Sequence, residues 1–186
     1  MRLYYTVSSG YNDPQSKLVN SLGGFKSSTP VPNDQDNNVF DELSLLSLVK
    51  GKTQYIGLIL KNELGVEVKN VQLWFETPEG SYGSFQLAAV QTDKNNEGQP
   101  FFEMIPDIFS KPFYAEFHQA TELDKATIGD MEIDQEIGLW LCRSIDKKAV
   151  TEDYNNVAEK DTATENRYKP IEKATEESIA FQISWE

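Results

Sequence analysis

QYIGLILKN, ELGVEVK and NVQLWFETP run consecutively from Gln54 to Pro78, and the reading of this stretch decides the fold. Ile56, Leu58 and Leu60 share one parity in the first run, and Val71, Leu73 and Phe75 share one in the last. Strand side chains alternate between faces, so each run lays down a continuous apolar stripe. On a helix the same spacing would smear the apolar residues around the cylinder. Pro78 ends the second run because it has no amide to give to a ladder. The two runs are joined by a short polar segment containing Gly65. They read as a β-hairpin or as a strand pair crossing between two sheets, and in either case as part of an all-β core.

Similar patterns recur to either side. SFQLAAV places Phe85, Leu87 and Ala89 on one parity, a third strand. TDKNNEGQP is a turn-rich loop, and FFEMIPDIFSKP is broken by Pro106 and Pro112. FYAEFHQA sets Phe113, Ala115 and Phe117 against Tyr114, Glu116 and His118, which predicts another strand. In IGLWLC, Ile137, Leu139 and Leu141 alternate with Gly138, Trp140 and Cys142, so both parities carry bulk. That pattern belongs to a central strand covered on both faces, or to a Trp140 buried against a neighbour. The C-terminal SIAFQISWE alternates Ile179, Phe181, Ile183 and Trp185, and a strand this apolar needs a partner. About seven to eight strands with sandwich-like spacing emerge, and no long amphipathic helix competes.

The N-terminal part differs. RLYYTV (residues 2–7) suits an edge strand. Ser8 to Asn38 is dense in Ser, Gly, Pro, Asn and Asp, with isolated apolar residues at Leu18, Val19, Leu22, Phe25 and Val31. Such turn formers oppose both helix and ladder. The scattered hydrophobes favour an arm ordered by another surface over a plain spacer. Residues 39–50 fit a short helix or a strand. Residues 146–170 are polar and acidic without periodicity, which predicts an insertion. The expected architecture is an antiparallel β-sandwich over residues 51–186, preceded by a strand and an extended irregular arm over 1–50.

Composition narrows the chemistry. A chain of 186 residues with net charge −13 repels nucleic-acid phosphates and anionic lipid surfaces, so neither nucleic acid nor membrane is an expected partner. No apolar run approaches the ~20 residues that span a bilayer. The single cysteine, Cys142, excludes an internal disulfide and thiolate metal clusters. His118 is the only histidine, and neither it nor Cys142 has a visible activating neighbour. Asp130, Glu132, Asp134 and Glu136 alternate with Met131, Ile133, Gln135 and Ile137; if extended, they line one edge and read as a solvated acidic face. Asp93 to Gly98 starts like a calcium loop, but Met104 stands where a bidentate glutamate is needed, so a tight turn is the better reading. No catalytic set, cofactor or metal is expected. Trp74 has the opposite parity to Val71, Leu73 and Phe75 and is the expected exposed ring. With Leu18, Leu22, Phe25 and Val31 of the arm it makes the expected interface set.

The run from Lys61-Asn62 through Asn70-Val71-Gln72-Leu73, with Ile128 to Leu141 later, is similar to bacterial immunoglobulin-like modules. More narrowly, YIGLILKN, VQLWF, PFYAEFH and IGLWLCR together resemble virion structural proteins of tailed bacteriophages of the crAss-like group. Some of those are immunoglobulin-like auxiliary proteins on the capsid surface. The likeness covers under half the chain and rests on packing motifs. It implies the immunoglobulin-like type of sandwich and a non-enzymatic decoration or cement protein, assembled in the host cytoplasm into the virion. Its partners would be the major capsid protein, other virion proteins, or further copies of itself. A portal- or tail-associated structural protein is the neighbouring possibility. A different class is a carbohydrate-binding or adhesin-like sandwich using Trp74 or Tyr82 with nearby carboxylates.

Overall fold

The computed structural model describes residues 1–15, 17–33, 39–40, 50–76, 83–145 and 180–186. The chain is all-β and forms two antiparallel sheets. In chain order the strands are β1 (Arg2–Val7), β2 (Gly23–Pro30), β3 (Lys52–Lys61), β4 (Val68–Glu76), β5 (Gly83–Val90), β6 (Asp93–Lys94), β7 (Pro100–Met104), β8 (Ala126–Met131), β9 (Glu136–Ile145) and β10 (Ala180–Ser184). A seven-stranded sheet, ordered β5-β9-β3-β1-β2-β7-β6, curls into a half-barrel. A three-stranded sheet, ordered β10-β4-β8, packs against one of its faces.

The Gln54–Pro78 stretch is a crossing pair: β3 lies in the large sheet and β4 in the small one. Asn62, fully buried just after β3, holds the crossing in place. Its amide nitrogen donates to Val66 O at 2.8 Å and to Glu132 O at 2.9 Å, while its side-chain oxygen accepts from Leu64 N at 3.1 Å. One side chain thereby ties the β3–β4 connection to the β8–β9 turn through partly buried backbone groups.

Leu58, Leu73 and Leu139 meet with Val71, Leu60, Leu87 and Leu141 in one core between the sheets, and Phe181 packs on it from β10. The other face of the large sheet is also covered. There Ile59, Ala88, Trp140 and Cys142 pack with Phe102, Ile105 and Ala115, the last two from the irregular chain after β7. This double covering explains why β3 and β9 carry bulk on both parities. Each fully buried Leu or Trp contributes about 1.5–3 kcal/mol relative to exposure.

Two expectations for the N-terminal part are corrected. β1 is no edge strand: it pairs with β3 on one side and β2 on the other, and Tyr4, Tyr5 and Val7 are buried. Residues 23–30, expected within an irregular arm, form β2 between β1 and β7. The polar residues that lead into the strand and face it from β1 are tolerated inside because they are hydrogen-bonded. Ser21 Oγ donates to Gly57 O at 2.6 Å, Thr6 Oγ1 donates to the same carbonyl at 3.1 Å, and Gly23 N donates to Thr6 Oγ1 at 3.0 Å. Residues 34–38 and 41–49, the insertion at 146–170, Pro78 and Tyr82 lie outside the described residues.

Candidate interaction surface

The chain after β7 presents the most exposed rings among the described residues. FYAEFHQA forms no strand there, apart from a bridge in which His118 N donates to Leu87 O and Leu87 N to His118 O. The reason is local. Pro112 precedes the segment, and the next two amides are spent on a carboxylate: Phe113 N donates to Glu103 Oε1 at 2.7 Å and Tyr114 N to Glu103 Oε2 at 3.0 Å. With the backbone wrapped around Glu103, Ala115 turns into the core and Phe117 packs at a tilt against Tyr55, ring centroids 5.5 Å apart.

Phe113 and Tyr114 are left projecting outward, 83% and 77% exposed, in an edge-to-face pair with centroids 4.9 Å apart. Phe109, 59% exposed, sits on a turn closed by Asp107, whose Oδ1 accepts from Phe109 N at 2.8 Å and from Ser110 Oγ at 3.1 Å. Exposed apolar rings on a backbone fixed by charge-assisted hydrogen bonds lose little entropy on binding, which suits them as interface anchors.

Of the five residues expected to form an interface, Leu22, Val31 and Trp74 pack on the inter-sheet core instead of making an outward patch. Leu22 lies in the seam between the two cores, and Val31 is buried in the inter-sheet core with its N donating to Leu3 O at 2.9 Å. Both are therefore spent inside this chain, a correction to their expected outward role. Phe25 is half-buried on β2, its ring 5.8 Å from Phe101. Leu18 opens a 3-10 turn, and its side chain lies outside the described residues. Trp74, expected to be exposed, is half-buried against the core, and the Lys125 ammonium stands over its ring at 4.1 Å. That ring face meets a cation and is not open to a sugar. Phe113 and Tyr114 escaped the sequence reading because they were assigned to opposite faces of one strand. Pro112 directly before them was the available sign.

The reactive side chains are dispersed. Cys142 is buried, and burial pushes its thiol up to about 11, so it stays protonated near neutrality. His118 is exposed. The four acids do not line one edge, since the chain turns between β8 and β9 with Asp134 at φ 60. Asp130 accepts from Asn70 N at 3.1 Å and from Lys69 Nζ at 3.1 Å, and these two donors hold its carboxyl below the usual range. Asp134 faces Lys61 at 3.2 Å, whereas Glu136 is buried. The Asp93–Gly98 letters form the β6–β7 turn: Asn95 Oδ1 accepts from Glu97 N and Gln99 N, occupying an oxygen a cation would need. Among the described residues no three potential metal ligands gather.

No protein-family model, no curated protein and no solved structure matches the chain.

Proposed function

We propose that this protein is a non-enzymatic structural protein of a phage virion, an auxiliary decoration or cement protein seated on the capsid surface. The observation that carries this reading is the Phe113–Tyr114 pair, exposed yet pinned through its amides to Glu103. An interface anchor needs a large ring that is already ordered before the partner arrives. Two facing antiparallel sheets around one core suit the immunoglobulin-like type of sandwich, and such a scaffold lends the loop its rigidity. The partner is an apolar recess on the major capsid protein or another virion protein. With a net charge of −13, the surroundings favour a neutral or basic rim on that partner.

The test is co-sedimentation of the purified protein with particles stripped of it. Wild type is expected to bind, and the Phe113→Ala/Tyr114→Ala double variant to lose roughly tenfold or more in affinity, as for anchor residues. Equal binding by the variant would remove the aromatic pair from the contact, and no binding by wild type would remove the virion role.

A further inference from the structure

Lys26 is 6% exposed, a rare position for a lysine, and it has no carboxylate within ion-pair distance among the described residues. Its ammonium lies 4.5 Å from the Tyr4 ring centroid and 5.2 Å from that of Tyr11. It donates to Ser27 O at 3.3 Å and to the side-chain oxygen of Asn12. The two residues are also locked through their backbones: Asn12 N donates to Lys26 O at 2.8 Å, with Asn12 held at φ 65. An amine flanked by two aromatic rings is thus aimed at a carboxamide. Beside them stands Glu136, 6% exposed, whose Oε1 accepts from Tyr11 OH at 2.7 Å and whose Oε2 has no partner among the described residues.

We propose that Lys26 and Asn12 become joined by an intramolecular isopeptide bond that forms spontaneously in the folded chain. In this transamidation Nζ of neutral Lys26 attacks Cγ of Asn12, the Nζ–Cγ bond forms, and the Cγ–Nδ2 bond breaks. A proton from Nζ ends on the departing nitrogen, which leaves as ammonia. Nothing is oxidised or reduced, so no further reactant is needed. Burial disfavours both the ammonium of Lys26 and the carboxylate of Glu136, which pushes the pair toward neutral amine and neutral acid. Attack requires that neutral amine. Glu136 is a positioning residue: its Oε1 holds the Tyr11 hydroxyl, and so the ring beside the amine, while the proton passes from Nζ to the departing nitrogen. Asn12 itself is exposed, which gives ammonia a way out and keeps the step from reversing.

Such a bond would fasten the connection between β1 and β2 covalently to the sheet. The experiment is intact mass of the folded full chain, followed by denaturation, protease digestion and peptide mapping. The expected result is a chain lighter by one ammonia, and a branched peptide joining the Asn12 and Lys26 segments that is absent from Lys26→Arg. Tyr11→Phe, which frees the ring from Glu136, is expected to accumulate unlinked chain, and Glu136→Gln, which keeps an acceptor for Tyr11, to retain the linkage. A wild-type chain that keeps its full sequence mass after prolonged incubation would overturn the proposal. So would an ammonia loss that persists in Lys26→Arg, because that signals ring closure at Asn12 alone. Linkage at the wild-type rate in Tyr11→Phe would remove Glu136 from the step.

Discussion

Gly57 lies directly opposite Trp140 in the β3–β9 ladder, and the indole occupies the space a side chain at position 57 would claim. A Cβ there would stand 3.1 Å from the indole and 2.6 Å from Gly23 N, where β2 begins its pass over β3. Backbone cannot retreat as the tip of a flexible side chain can. Gly57→Ala is therefore expected to destabilise by on the order of 3 kcal/mol, at the upper end for overpacking. For a chain of this size that lowers Tm by roughly 6–12 °C, measured by thermal unfolding. An unchanged midpoint would mean that β2 does not cross there.

Asn62→Ala probes the link between the two sheets. The substitution removes the partner of the partly buried Val66 carbonyl and Leu64 amide, one of two donors to Glu132 O, and the buried contact to Met131 O at 3.3 Å. The expected loss is about 2–3 kcal/mol, read from the urea midpoint at constant slope. Asn95→Ala, in the peripheral β6–β7 turn, is the comparison and should cost about 1 kcal/mol or less. Equal losses from the two would show that Asn62 closes a local turn and has no part in joining the sheets.

These two sites mark where the sequence was legible. β3, β4, β9 and β10 could be read because hydrophobic burial acts locally on alternating letters, and Trp140 beside Gly138 betrayed a strand covered on both faces. Whether β3 and β4 formed a hairpin or crossed between sheets was open, since Asn62 decides it through the turn around Glu132, far along the chain. β1 and β2 were misjudged for the same reason. Ser21 and Thr6 are content in the interior only because Gly57 O lies within reach, and composition carries no trace of that carbonyl. The aromatic pair was missed because Glu103 captures the amides of Phe113 and Tyr114 from ten residues or more away in sequence.

Limited chymotrypsin digestion tests whether the segment before β3 belongs to the fold. Tyr11 is held by its hydroxyl on Glu136, Phe25 is paired into β2, and Ser28 N donates to Asp13 O at 3.0 Å. Phe113 and Tyr114 are far more exposed. Among these sites the isolated protein is expected to be cut after Phe113 or Tyr114 first, with Tyr11 and Phe25 resisting until global unfolding. Early cleavage after Tyr11 or Phe25 would return that segment to the status of a free arm.

Alkaline pH should expose the cost of ionising the core. The Cys142 thiol is raised by burial from its ordinary value near 9.0 to about 11, the Tyr55 hydroxyl opposing the shift only in part. A folded-state pKa above the unfolded one means that the native state holds its proton longer. The resulting stability is fully present below pH 9 and is lost as pH rises from 9 to 11. Its size is about 2–3 kcal/mol, taking roughly 1.4 kcal/mol per pH unit. Tyr4, raised to about 12 chiefly by burial and then by its bond to Glu63, continues the decline above pH 10. Urea midpoints of wild type should therefore fall through this window. Cys142→Ala, less stable at pH 8 because it leaves a cavity, should fall less and converge with wild type by pH 11. Parallel curves would show that the thiol ionises in the folded protein without penalty, and that the face of the sheet carrying Trp140 is open to water.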